Sequence, residues 1–197
     1  FTREPVGTGP YVLSDWAPGQ SITLERRDDY WGEAPEVASA NYVFRADPSV
    51  RAAMIATGEA DIAPSISAID ATTEMDMSYP NSETTYLRID QSMAPLDDVR
   101  VREALNIAID REAFVGTILA EGTELATALN VPTTLGWNPD TEARPYDPER
   151  AAALLEEAKA DGVPVDTEIL LVGRTGNFPG ATETFEAIQS MLSDVGF

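Results

Sequence analysis

Apolar and polar residues alternate along Ser21-Ile22-Thr23-Leu24-Glu25, the period-two pattern of a strand with one buried face. A second short apolar run, Tyr11-Val12-Leu13, follows the glycine-rich start Gly7-Thr8-Gly9-Pro10. Pro18-Gly19 lies between the two runs and is a turn signal, so the pair is expected to form a hairpin. The β-rich Tyr42-Val43-Phe44 predicts a third strand. The period then changes. Asp47 can cap free backbone N–H groups, and Pro48 suits a first helical position because its missing N–H needs no partner there. Val50, Ala53, Met54 and Thr57 follow at helical spacing, and Gly58 ends the run. Asp61-Ile62-Ala63 returns to extended backbone, Ser65 to Met77 fits a short helix, and Thr84 to Ile89 reads as a strand.

Past the loop Asp90-Gln91-Ser92-Met93-Ala94-Pro95 the pattern becomes helical. Asp97 or Asp98 caps a helix whose apolar face is Val101, Leu105, Ala108 and Ile109. A second helix is expected to restart at Asp110-Arg111-Glu112, carry Phe114, Val115, Ile118 and Leu119, and stop at Gly122. Asn130 to Pro145 is proline-containing loop. Asp147-Pro148 repeats the cap-plus-proline device, opening a helix through Leu154, Leu155 and Ala158 to Gly162. Glu168-Ile169-Leu170-Leu171-Val172 is expected to be a strand buried on both faces. Phe185, Ile188, Leu192 and Val195 mark a last helix. Strands and helices mixed in this way point to an α/β protein.

The chain has 197 residues, 34 acidic and 13 basic, for a net charge of −21. Such a charge argues against nucleic acid as a partner, which needs a cationic footprint, and against an anionic membrane surface. Cysteine and histidine are absent, which removes Cys/His zinc sites, cysteine nucleophiles and any Ser-His-Asp triad. Lys159 is the single lysine and is flanked by alanines, so no phosphate-binding Gly-Lys-Ser/Thr loop exists. Nothing in these patterns calls for a cofactor or a metal. No apolar run approaches the roughly 20 residues of a membrane-spanning helix. Phe1-Thr2-Arg3-Glu4-Pro5 has neither an initiator methionine nor signal-peptide character, and the chain stops just past a helix end at Gly196-Phe197. An internal piece of a longer protein is the expectation.

Gly7-Thr8-Gly9 is a fragment of a dinucleotide fingerprint, but a strand follows it where the fingerprint requires a helix. Asp28-Asp29 and Asp97-Asp98 lack the spaced oxygens and glycine of a calcium loop. Paired carboxylates would suit a glycosidase, although nothing selects a pair among 34 acids. An acidic module that binds a basic protein is a further alternative. Trp16, Trp31 and Trp137 adjoin turns, where an aromatic can stack on a ligand or close a small apolar cluster. Arg174 stands out most. It follows the apolar run in the loop Gly173-Arg174-Thr175-Gly176-Asn177-Phe178-Pro179-Gly180, just before a helix. Loops at the carboxyl ends of strands are where α/β proteins place ligands, and an arginine there can hold a carboxylate through two parallel hydrogen bonds.

Several segments, in order, carry a resemblance: Pro5-Val6-Gly7-Thr8-Gly9-Pro10-Tyr11, Leu24-Glu25-Arg26, Tyr30-Trp31-Gly32, Gly58-Glu59-Ala60-Asp61-Ile62, Pro95 to Leu105, Ala108-Ile109-Asp110-Arg111 and Tyr146-Asp147-Pro148-Glu149-Arg150-Ala151. Together they resemble the extracellular solute-binding proteins of family 5, the dipeptide, oligopeptide and nickel receptors of ABC importers. The resemblance implies a type II periplasmic-binding-protein-like fold with two lobes of mixed sheets flanked by helices, here incomplete. Residues 1–90 would be a strand-rich part of one lobe leading into the hinge, and residues 91–197 the helix-rich first part of the other. It also implies a non-enzymatic protein, periplasmic or extracellular and membrane-associated. Its partners would be a small solute, most simply a peptide, and a membrane permease. In dipeptide receptors an arginine after the corresponding strand meets the peptide carboxylate, and Arg174 falls at that place. Asn177 and Phe178 would line the same wall, although the loop has no tyrosine where those receptors offer an aromatic contact.

Overall fold

The computed structural model describes residues 4–72, 74–79 and 81–197. They divide into two compact units, Phe1–Ile62 and Ala63–Phe197. In the first unit, β1 (Tyr11–Ala17), β2 (Ser21–Arg26) and β3 (Ser39–Val43) form an antiparallel sheet in the order β1-β2-β3. Gly19, with a φ of 75°, closes the first hairpin as the Pro18-Gly19 signal required. The β1–β2 register shifts between Leu13 and Asp15, so Ser14 is an extra, bulged residue. The bulge decides which way Trp16 points. Strict alternation would send it to the face opposite Leu13; the extra residue returns it to the same side. Leu13–Leu24 and Trp16–Ile22–Tyr42 therefore form cross-strand rows on one apolar face, while Asp15–Thr23–Asn41 lie on the other.

Two arginines tie the flanking loops to this sheet. Arg26 donates to the carbonyl of Pro35 at 2.8 Å, and Arg27 to that of Gly7 at 3.0 Å. Helix α1 (Pro48–Ala56) follows, its first turn capped by Asp47, whose Oδ1 accepts from the Ser49 N–H at 2.8 Å. Gly58 ends it with a φ of 74°.

The second unit is built on α2 (Val99–Ile107), α3 (Pro148–Ala160) and α4 (Ala181–Val195). Asp98 and Asp147 cap the first two, accepting from the N–H groups of Arg100 and Arg150. Helices α2 and α3 run antiparallel. Arg100 at the start of α2 reaches Asp161 at the end of α3 at 2.6 Å, and the Asp147 N–H donates to the Ile107 carbonyl at 2.9 Å. Val101, Ala104, Ile107 and Ala108 pack against Ala151, Leu154, Leu155 and Ala158, with Val165 closing the cluster. The alanines let the two backbones approach, and the branched residues fill the space between. A smaller cluster of Ile109, Phe114 and Ile188 receives Ile118, Leu171 and Met191 from its rim.

Four expectations from the sequence differ from the structure. The helix expected from Asp110 to a stop at Gly122 is a single 3-10 turn at Glu112–Phe114. Gly116 takes a φ of 73°, which breaks the helical path, and the chain doubles back so that the Gly116 N–H donates to the Leu119 carbonyl. Within Ser65 to Met77, the described residues form only a 3-10 turn at Ala68–Asp70; Thr73 lies outside them. Neither 84–89 nor 168–172 forms a strand, because neither has a backbone ladder partner among the described residues. The expectation that 168–172 is buried on both faces is also corrected. Leu171 packs inward, but Leu170 is 81% and Val172 77% exposed. Burial on both faces needs a covering layer on each side, and this segment has one.

Candidate functional site

The segment that leads out of Leu171 ends at Gly173, and the loop to Gly180 opens α4. All three residues singled out from the sequence lie in this loop. Arg174 and Asn177 are exposed, and Phe178 is half-buried. Gly176 turns the loop with a φ of 72°. The Phe178 carbonyl accepts from the Ala181 N–H at 3.2 Å, and Gly180, with a φ of 84°, stands at the N-cap of α4 without a side-chain cap. Among the described residues Arg174 makes no ion pair and no side-chain hydrogen bond. Among the described arginines it shares this with Arg88, whose charge acts on the nearby Asp90 carboxyl. Arg100 pairs with Asp98 and Asp161, Arg144 with Glu103, and Arg150 with Glu157. A guanidinium left unmatched, exposed and flanked by a glycine offers its full fork of donors to an anionic group.

The loop rests on residues that sequence reasoning did not single out. Thr184 is 5% exposed, and its Oγ1 and N–H both donate to the Gly180 carbonyl, at 2.8 and 2.9 Å. Phe185 lies against Gly173, and Ile118 against Gly180. Glycines at both ends of an eight-residue segment were the visible signal; the identity of what presses on them was not.

The other candidates resolve into structure. Gly7 and Thr8 present carbonyls, not N–H groups, to their neighbours: Arg27 donates to the first and the Trp31 indole to the second at 3.2 Å. This polarity is opposite to that of a phosphate cradle. Trp31 is 82% exposed and tilted against Tyr30 with centroids 5.3 Å apart. Trp16 lies on the apolar sheet face, which forms a groove of about 560 Å³ within the first unit, lined also by Leu13, Ile22, Tyr42 and Phe44. Trp137 is half-buried in its loop. Asp98 is a helix cap whose carboxyl is held down to about 2, chiefly by the side-chain hydrogen bond from Arg100. No group of three or more acidic side chains among the described residues is arranged to hold a metal ion. No helix among them is long and apolar enough to cross a membrane.

Comparison with known proteins accords with the sequence motifs. The "Dipeptide-binding protein" of Escherichia coli (strain K12) is 33% identical over 199 residues, covering 98% of this chain and 37% of that protein. Among solved structures, NikA from Brucella suis, in complex with Fe(III)-EDTA, superimposes with a TM-score of 0.79 at 24% identity, covering 98% of this chain and 42% of that one. The dipeptide binding protein from Pseudoalteromonas sp. SM9913, in complex with Met-Leu, does so with a TM-score of 0.71 at 25% identity, covering 98% and 39%. The chain thus spans less than half the length of these relatives. The fold is that of part of a type II periplasmic binding protein. The family of bacterial extracellular solute-binding proteins, family 5 Middle, matches residues 1–197 throughout, and the chain belongs to it.

Proposed function

We propose that this chain is part of the substrate-binding component of an ABC importer. It captures a peptide or similar small solute between two lobes and delivers it to a permease in the membrane. The protein works in the periplasm, or outside the cell against the membrane, and carries out no reaction on its cargo. Residues 1–90 contribute to one lobe and residues 91–197 to the other, with the hinge near Asp90. The Asp90 carboxylate accepts from the Ser92 N–H and hydroxyl at 3.0 and 2.7 Å, a self-contained turn suited to a crossover between lobes. Closure is favoured by contacts the solute makes with both lobes only in the closed state.

The observation that carries this reading is Arg174, an unmatched guanidinium in a loop after an extended segment, within a family that binds solutes. A peptide's terminal carboxylate is the group such a fork holds best. Asn177 and Phe178 add a polar and an apolar contact along the same loop. Titration calorimetry with Met-Leu and with its C-terminal amide, on the longest polypeptide that carries this chain, tests the assignment. Arg174→Ala is expected to weaken Met-Leu binding at least tenfold and to abolish the preference for acid over amide. Unchanged affinity in Arg174→Ala would refute it.

A further inference from the structure

The Arg174 loop carries no regular structure, yet both of its ends leave no room for a Cβ unless a neighbour shifts. An ideal Cβ on Gly173 would overlap Cε2 and Cζ of Phe185. The Phe185 ring, on the second turn of α4, therefore lies directly on the Gly173 backbone. At the other end a Cβ on Gly180 would lie 2.7 Å from the Ile118 carbonyl oxygen, and the φ of 84° is itself unfavourable for any other residue. The Gly180 carbonyl accepts from Thr184 through both its N–H and its buried hydroxyl. The first contact is at the residue immediately before Arg174.

We propose that Gly173 with Phe185, and Gly180 with Ile118 and Thr184, are positioning residues: a pair of clamps that fixes the Arg174 loop in its solute-holding conformation. This rests on the reading of Arg174 as the carboxylate holder. The clamps matter because an arginine on a mobile loop loses conformational entropy each time it binds, whereas one on a fixed loop does not. The two ends differ in kind. The obstruction at Gly173 is a side chain and can be removed by substitution. The obstruction at Gly180 includes a backbone carbonyl and cannot.

The test uses the longest polypeptide that carries the chain, with Met-Leu as probe. Two quantities are read: affinity by calorimetry, and backbone 15N order parameters of residues 174–179 without ligand. Gly173→Ala is expected to weaken binding at least tenfold and to bring the loop's order parameters down toward about 0.6. Phe185→Ala removes the same clamp without adding a methyl, so it too is expected to loosen the loop and weaken binding. A merely structural role predicts a lower Tm in these variants with loop order and affinity unchanged. Gly180→Ala is expected to weaken binding similarly and to gain nothing from Ile118→Ala. Wild-type affinity and loop order in Gly173→Ala or in Phe185→Ala would overturn the proposal. If Arg174→Ala binds Met-Leu as well as wild type, or the wild type does not bind it, the functional reading fails. The order parameters then decide the clamps alone, and an unchanged loop in Gly173→Ala overturns them.

Discussion

Asp98 joins the two helices of the main core, and its loss has a calculable effect. Its Oδ1 accepts from the Arg100 N–H at 2.8 Å, capping α2, and its two oxygens take the Arg100 guanidinium at 3.1 and 2.8 Å. Through that guanidinium it is linked to Asp161 at the end of α3. Removing a cap costs about 1 kcal/mol. The carboxyl is lowered from 3.8 to about 2, principally by the hydrogen bond from the Arg100 side chain. That shift corresponds to at most about 2.5 kcal/mol, and solvent screening of a surface pair reduces it to roughly 1 kcal/mol. Asp98→Ala is therefore expected to destabilise by about 2 kcal/mol, and Asp98→Asn, which keeps an acceptor, by about 1 kcal/mol. For a chain of this size these correspond to drops in Tm of roughly 4–8 °C and 2–4 °C. The assay is thermal unfolding followed by circular dichroism at pH 7 and then at falling pH. Because the folded value lies below the unfolded one, the charge contribution is complete above pH 3.8 and is lost between 3.8 and 2. The gap between wild type and Asp98→Asn should close over that range. Equal losses in Ala and Asn variants at pH 7, or a gap that persists at pH 2, would refute the division between cap and charge.

Further outcomes follow from packing and strain. Leu154 is 3% exposed between α2 and α3, so Leu154→Ala should lower stability by about 2–5 kcal/mol in denaturant titration. Arg150→Ala removes an exposed pair with Glu157 and should leave the same midpoint nearly unchanged. In the 197-residue chain Leu170→Lys should be near neutral and Leu171→Lys strongly destabilising; equal effects would contradict the one-sided burial of this segment. The same chain is expected to bind Met-Leu weakly or not at all by calorimetry, because on the proposed reading it carries only part of each lobe. Tight one-to-one binding would show that this part of the cleft suffices.

The elements that could be read from the sequence carry their determinants within a few residues. Asp47-Pro48, Asp98 and Asp147-Pro148 start helices through contacts to their own first turns, and Pro18-Gly19 closes its hairpin locally. Strands are different, since a ladder needs a neighbour. The β-rich composition of 84–89 and 168–172 was visible, but the lack of a pairing partner among the described residues was not. The turn at Gly116 was hidden for another reason. Its apolar neighbours Phe114, Val115, Ile118 and Leu119 fit helical spacing, and only the positive φ, imposed by tertiary packing, broke the pattern. The candidate site divides in the same way. The place of Arg174, in a loop after an apolar run and before a helix, was legible. Phe185 and Ile118, which reach the loop's glycines across the fold, carry no local mark of that role.

Among the described residues the three-stranded sheet has two unpaired edges, and they are not equivalent. The β1 edge is interrupted by the bulge at Ser14 and carries the charge of Asp15, two features that make it a poor template for a foreign strand. The β3 edge, Ser39-Ala40-Asn41-Tyr42-Val43, has neither charge nor bulge, and Tyr42 beside it is 57% exposed. Self-association of the first unit during synthesis or storage should therefore proceed through β3. A lysine at the solvent-facing Asn41 is the substitution that would suppress aggregation while leaving the groove around Trp16 and Tyr42 untouched.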